Sequence, residues 1–228
     1  MKWPPGWKKK PVKLNPGVKI RRIDPGRPCA DPVREAAEII RSGGVVVFPT
    51  TGLYGLAADA FNPAAVEKIF AIKQRPLNKP ILILVPDLRD IPKLVRDIPL
   101  AAERIMTALW PGKLTLIFNA ASGILPGLTA GTGKIGIRLP IHPVARFLVR
   151  AAARPITATS ANISGQTGCS RIADLDPAVA AAVDLILDAG PLEGGAGSTI
   201  LDVSQDPPVL VREGAIPESL ISALLQNR

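Results

Sequence analysis

The 228-residue chain is 47% apolar, enough to bury a sizeable core in one domain. No apolar run approaches the roughly 18 residues of a membrane span, and the opening MKWPPGWKKK lacks a secretory apolar stretch, so the expectation is a folded cytoplasmic protein without a membrane partner. The net charge of +9 is unevenly placed: residues 1–30 hold nine Lys or Arg against Asp24 alone, a net +8, and are rich in proline and glycine. We therefore divide the chain into a basic Pro/Gly-rich N-terminal arm, 1–30, and an α/β domain, 31–228. An acidic partner such as RNA is one reading of the arm, and a solubilising tail or an arm lying on its own domain is the other. A single histidine, His142, excludes mechanisms that need two imidazoles, and Cys29 and Cys169 show no metal-ligand spacing.

In chain order, Asp31 and Pro32 suit an N-cap and first helical position. Val33, Ala36, Ala37, Ile39 and Ile40 then recur at helical spacing as far as Gly43-Gly44. Val45-Val46-Val47-Phe48 is a continuous apolar run, the pattern of a strand covered on both faces. Asn62-Pro63 opens a second helix with Val66, Ile69, Phe70 and Ile72 as its stripe, closing near Arg75-Pro76, and Ile81 to Val85 is a strand. Two helical stretches fill 87–109, and Pro111-Gly112 turns the chain into the strand of WPGKLTLIF. In GKIGIRLP the alternation puts Ile135 and Ile137 on one face and Lys134, Gly136 and Arg138 on the other, so the two cations can address one ligand. Residues 143–153 are helical with His142 near the N-cap; 156–159, 184–188, 198–203 and 208–212 are extended; 217–226 closes as a helix. Strands alternating with helices, some strands following one another, give an α/β fold with a mixed twisted sheet.

Four polar stretches interrupt this scaffold: Thr50 to Tyr54, Lys73 to Lys79, Thr157 to Gly168, and Gly194 to Thr199. Each lies at a strand end or turn, where α/β folds place ligands. Ser160 and Asn162 offer a hydroxyl and an amide to a phosphate or ribose, with Gly165 and Gly168 letting the backbone approach; an ordinary loop is the competing reading. There is no Walker or Rossmann glycine motif. Lys73, Arg75, Lys79, Lys134, Arg138 and Arg212 are cations enough to hold a polyphosphate, unless each is a solvated surface charge.

In order along the chain, GGVVVFPTTGLYGLAADAFNPAAVEKIFAIKQRP, WPGKLTLIF, GKIGIRLPIHPVARFLV, ITATSANISGQ, GSTILDV and LVREGAI resemble the YrdC-like family, the threonylcarbamoyl-AMP synthases, over residues 31 to 216. The Lys-x-Arg and Ser-x-Asn signatures are Lys73/Arg75 and Ser160/Asn162. The resemblance implies a YrdC-like twisted mixed parallel/antiparallel sheet with flanking helices around a basic concave cavity. It also implies a nucleotidyltransferase that makes threonylcarbamoyl-adenylate and pyrophosphate from L-threonine, bicarbonate and ATP, for tRNA modification. ATP would bring Mg2+ on its phosphates, with no protein metal site and no tightly bound cofactor. A downstream tRNA threonylcarbamoyl transferase, and tRNA or double-stranded RNA, are the implied partners.

Position by position, Lys73 and Arg75 would be the catalytic pair at the phosphates, with Lys79 and Lys134 beside them. Ser160, Asn162, the Gly168 backbone and Arg212 would hold the nucleotide. Arg138 would take the threonine carboxylate, with Ala158 and Ser198 lining that pocket and Thr50, Gly52, Tyr54 and Leu84 on the same side. The chain departs from the family pattern in four places. It reads Pro49-Thr50-Thr51-Gly52 where Pro-Thr-Glu-Thr is usual, Leu84 for a histidine, Lys79 for an asparagine and Gly197 for a glutamate. The competing readings are a YciO-like paralogue with an altered substrate and a non-catalytic protein that binds double-stranded RNA or tRNA.

Overall fold

The computed structural model describes residues 18–226, whose ten strands form one sheet. In chain order the strands are β1 (Lys19–Arg22), β2 (Val46–Pro49), β3 (Tyr54–Ala57), β4 (Leu82–Leu84), β5 (Leu114–Asn119), β6 (Lys134–Arg138), β7 (Ile156–Ser160), β8 (Leu185–Asp188), β9 (Thr199–Asp202) and β10 (Val209–Arg212). Across the sheet they run β1-β8-β2-β3-β7-β4-β6-β5-β9-β10. The pairs β1/β8, β2/β8, β4/β6 and β5/β9 are parallel, and β2/β3, β3/β7, β4/β7, β5/β6 and β9/β10 are antiparallel. The expected α/β fold with a mixed sheet is the one observed.

The helices are α1 (Ala30–Arg41), α2 (Pro63–Ile72), α3 (Leu100–Leu109), α4 (Pro126–Thr129), α5 (Pro143–Ala152), α6 (Pro177–Ala180) and α7 (Glu218–Gln226). α2 starts where its sequence says it should: Asn62 Oδ1 accepts from Ala65 N at 3.2 Å and Pro63 takes the first helical position. Such a cap contributes about 1 kcal/mol. α1 starts at Ala30, with Cys29 at the N-cap and no side-chain cap bond, earlier than the expected Asp31 cap. His142 caps α5 by position only, since its side chain makes no cap hydrogen bond.

Two differences from the sequence reading bear on organisation. The segment read as an arm, 1–30, is in the sheet from Lys19 to Arg22, paired in parallel with Leu185–Asp188. Arg21 forms a two-pronged contact with Glu35 of α1, and Ile23 is buried, so this stretch lies on its own domain, one of the two competing readings of the arm, although its pairing as a strand was not expected. Residues 1–17 lie outside the described residues. The second difference is β3, which folds back on β2 with Pro49 opposite Tyr54 and Val46 opposite Ala57. Its YGLA sequence is too poor in β-branched residues to signal a strand alone.

The sheet's two faces explain where a site can form. Val45 and Val47 point into the larger core with α2 and α3, while Val46 and Phe48 point into a second core under α1 and α5, together with Leu185 and Leu187 of β8. Over β4, β6, β5 and β9 the larger core continues through Ile83, Ile135, Ile137, Leu116 and Leu201. On the opposite face the second core under α1 and α5 takes in Leu84 of β4 but no residue of β6, β5 or β9. Leu82 and Ala158 mark the boundary, packing against the second core and lining an open cleft. The cleft is thus the uncovered half of a sheet face.

Candidate active site

The cleft holds about 590 Å³. Its floor comes from alternate residues of three adjacent strands: Thr115 and Ile117 of β5, Lys134, Gly136 and Arg138 of β6, and Ile200 and Asp202 of β9. The residues between them, Leu114, Leu116, Phe118, Ile135, Ile137 and Leu201, are buried on the other face. This is the two-residue period of a strand with one wet face.

One wall is the turn from Thr50 to Gly55, closed by Thr50 N and Oγ1, which donate to Leu53 O at 3.2 and 2.5 Å. Gly52 O in turn accepts from Gly194 N at 2.9 Å, and a Cβ on Gly52 would stand 2.7 Å from Gly194 O. Glycine is needed here because two backbones meet. Across the cleft, a Cβ on Gly197 would stand 3.0 Å from Arg212 Nη2, so that glycine leaves room for a guanidinium.

Arg138 lies at the centre. Its Nε and Nη2 donate to Thr115 Oγ1 at 3.1 and 2.9 Å, Nη2 also donates to Ser198 Oγ, and the two hydroxyls are 3.1 Å apart. Arg212 Nε and Nη2 donate to Ser198 O at 3.2 and 2.6 Å. Burial, with the neighbouring Arg212 charge, lowers the Arg138 pKa to about 10, so it stays protonated at neutral pH. Arg75 donates from Nε to Lys79 O at 3.1 Å and from Nη2 to Pro80 O at 2.8 Å. All the hydrogen bonds of these three guanidiniums go to neutral oxygens, whereas Lys134 is paired with Asp202 at 2.8 Å and Lys113 with Glu193 at 2.9 Å. Cations left without a carboxylate in a partly desolvated cleft favour an anionic ligand.

The local chain path sets Arg75. Lys73 ends α2, Gln74 takes the left-handed conformation (φ 47°), Gln74 N donates to Ala71 O at 3.1 Å and Arg75 N to Phe70 O at 2.9 Å. This Schellman closure turns the chain so that Lys73 points inward and Arg75 reaches the cleft. The Lys-x-Arg spacing is therefore the spacing of a helix stop.

The family model Sua5_yciO_yrdC, described as "Telomere recombination", matches residues 38–214. The chain belongs to this family. It is 40% identical over 198 residues to the threonylcarbamoyl-AMP synthase of Bacillus subtilis, covering 85% of this chain and 56% of that protein. The Pyrococcus abyssi protein of the same name is 36% identical over 185 residues, covering 81% and 54%. The chain thus spans about half the length of these two relatives. Among solved structures, P. abyssi Sua5 complexed with L-threonine matches with a TM-score of 0.86 at 33% identity, covering 92% of this chain and 61% of that one. Escherichia coli YciO matches with a TM-score of 0.81 at 30% identity, covering 88% and 98%.

Against this family frame, the structure gathers ten of the residues named from the sequence around the cleft: Thr50, Gly52, Tyr54, Arg75, Lys134, Arg138, Ala158, Ser160, Ser198 and Arg212. Five stand elsewhere. Lys73 is 1% exposed, with Nζ donating to Ser160 O at 2.5 Å, Asn162 O at 2.8 Å and Asn162 Oδ1 at 3.1 Å. Asn162 is buried with it. Leu84 shares a sheet face with Leu82 but lies further along β4, where it belongs to the second core with α5 residues Val144, Ala145 and Leu148. The Lys79 side chain is exposed outside the cleft lining, and only its carbonyl serves the site, through Arg75. Gly168 stands behind Ser160, where a Cβ would meet Leu53 Cδ1 at 3.0 Å and Ser160 Cβ at 3.4 Å.

Tyr54 lines the cleft at the turn, yet it is fully buried. Its hydroxyl donates to Gly190 O at 2.7 Å and accepts from Ala189 N at 2.9 Å, and burial raises its pKa. Thr115 was missed by the sequence reading. A polar residue between Leu114 and Leu116 in an otherwise apolar strand was its signal. Lys113, Thr159 and Asp202 lie inside the quoted stretches WPGKLTLIF, ITATSANISGQ and GSTILDV but were not singled out there, and Thr132 lies outside every quoted stretch.

Proposed function

We propose that the chain is a threonylcarbamoyl-AMP synthase, forming threonylcarbamoyl-adenylate and pyrophosphate from L-threonine, bicarbonate and ATP in the cytoplasm, for tRNA modification. The observation that carries the reading is the set Arg75, Arg138 and Arg212, three guanidiniums without carboxylate partners around one cleft. That set suits two anionic reactants, an amino-acid carboxylate and a triphosphate. The names of the family relatives, and the L-threonine complex of one of them, support the same reading.

Bicarbonate takes up a proton and loses water to give CO2, the neutral threonine amine adds to it and releases a proton to give a carbamate, and the carbamate oxygen attacks the α-phosphorus of ATP and displaces pyrophosphate. No covalent nucleophile is required of the protein. Arg138, fixed by Thr115 and Ser198, would hold the threonine carboxylate. Arg75 and Lys134 would neutralise charge on the phosphates, so catalysis is positioning and electrostatics. Among the described residues Asp202 is the one carboxylate lining the cleft, already taken by Lys134, Ser204 and Gln205, and no group of three or more metal-ligating side chains gathers. Mg2+ would arrive on the ATP phosphates as part of the substrate. tRNA and a transferase that consumes the adenylate are the partners of this reading.

The deciding assay incubates the protein with ATP, Mg2+, bicarbonate and each amino acid in turn, following pyrophosphate release and the adenylate mass. Product with L-threonine is the expected result. No adenylate with any amino acid, together with salt-sensitive RNA binding lost on removing residues 1–17, would refute it in favour of a binding protein.

A further inference from the structure

Lys73 and Asn162 satisfy each other so completely that neither has a hydrogen-bonding group left for a ligand. In its charged form Lys73 has three protons for three acceptors, Ser160 O, Asn162 O and Asn162 Oδ1. The main chain of Lys73 joins the same loop, its carbonyl accepting from Ser164 N at 2.8 Å. The Asn162 amide is oriented without ambiguity, because Nδ2 donates to Ile163 O at 2.8 Å and Gln166 O at 2.6 Å. Its Oδ1 therefore faces Lys73 and Ser160, and the Ser160 hydroxyl spends its one proton on that oxygen. What Ser160 has left are lone pairs, and Ser160 lines the cleft whereas Lys73 and Asn162 do not.

We propose that Lys73 and Asn162 are positioning residues: a buried clamp, out of reach of the nucleotide, that fixes the 160–166 loop and turns the Ser160 hydroxyl to the cleft as an acceptor for a ligand O–H or N–H. The proposal rests on the nucleotide-binding reading above and changes the roles within it. Arg75, two residues beyond Lys73, is the phosphate contact. The loop is held in shape from behind, and Ser160 recognises a ribose hydroxyl or an amine rather than a phosphate oxygen. Burial, then the neighbouring Arg75 charge, lowers the Lys73 pKa to about 7. A lysine so desolvated has little water left to exchange for a ligand.

Calorimetric titration with ATP and with AMP separates a clamp from a phosphate ligand. Loss of a clamp weakens both nucleotides by a similar factor, about tenfold or more, whereas loss of a phosphate ligand weakens ATP far more than AMP. Lys73→Met and Asn162→Ala should show the first pattern, and their double variant should lose little more than either alone. Arg75→Met should show the second. Asn162→Ala keeps both backbone acceptors of Lys73, and so carries the comparison if Lys73→Met does not fold. Lys73→Met weakening ATP at least tenfold more than AMP would overturn the clamp, and so would wild-type affinity for both nucleotides in either variant. A wild-type protein that binds neither nucleotide would refute the proposed function itself, and the clamp with it.

Discussion

Replacing Thr115 by valine exchanges one hydroxyl for a methyl at a position 1% exposed, in a strand where valine packs well. The shape stays and the acceptor goes. Arg138 then loses its 3.1 and 2.9 Å contacts to Oγ1 and keeps only Ser198, while Ser198 Oγ loses its 3.1 Å neighbour. A hydrogen bond from a charged donor is worth about 1.5–3 kcal/mol, so holding Arg138 in place weakens by that order and threonine affinity falls roughly ten- to hundredfold. ATP affinity should change little, because Arg75 and Ser160 are not tied to Thr115. The assay is paired calorimetric titration of L-threonine and ATP, with Thr115→Ser expected to restore threonine binding. An unchanged threonine affinity in Thr115→Val would refute the view that this hydroxyl orients Arg138, and so would an equal loss for both ligands.

Gln74 sits at φ 47° without being glycine. Gln74→Gly should raise stability by about 1 kcal/mol in denaturant unfolding, since a side chain in the left-handed region costs about that much, and Gln74→Val should lower it. A less stable glycine variant would show that the helix stop does not need that conformation. The Lys73 pKa of about 7 lies below its ordinary 10.5, so above pH 7 the unfolded chain binds more protons and stability rises with pH. Tyr54 and Cys169 have raised values and act in the opposite sense toward pH 9–10 and above, which leaves a window of about pH 7–8.5. Lys73→Met should flatten the rise there, by at most about 1.4 kcal/mol per pH unit; identical slopes would exclude a desolvated Lys73.

Much of the fold was legible because its signals are local. Asn62-Pro63 announces α2 through a cap and a proline, and Val45 to Phe48 announces a doubly covered strand through uninterrupted apolar residues. The alternation of GKIGIRLP alone put Lys134 and Arg138 on one face. β1 was not legible: Lys19-Ile20-Arg21-Arg22 is charged, and only the open edge of β8 and the carboxylate of Glu35 make it a strand. β3 was not legible either, since its pairing with β2 is the main evidence for it.

The signatures Lys-x-Arg and Ser-x-Asn marked the neighbourhood of the cleft, but not which of their side chains line it: Arg75 and Ser160 do, while Lys73 and Asn162 are buried behind. One-dimensional spacing says that two side chains are near a site, but whether a side chain has protons or lone pairs left over depends on every acceptor around it. Those acceptors come from segments 87 and 89 residues away in the chain. The same holds for Gly52 and Gly197, which from sequence look like lost contacts. In the structure the Gly194 carbonyl stands too close to Gly52 for a Cβ, and a Cβ on Gly197 would press on the Arg212 guanidinium at 3.0 Å.

The sequence by itself determined the α/β architecture, the family and the location of the cations, because capping, periodicity and ordered motifs are written in neighbouring residues. Only the tertiary structure decided which cations remain without a carboxylate, which hydroxyls hold Arg138, and that Lys73 is spent inside the protein. Each of those depends on distances between strands far apart in the chain.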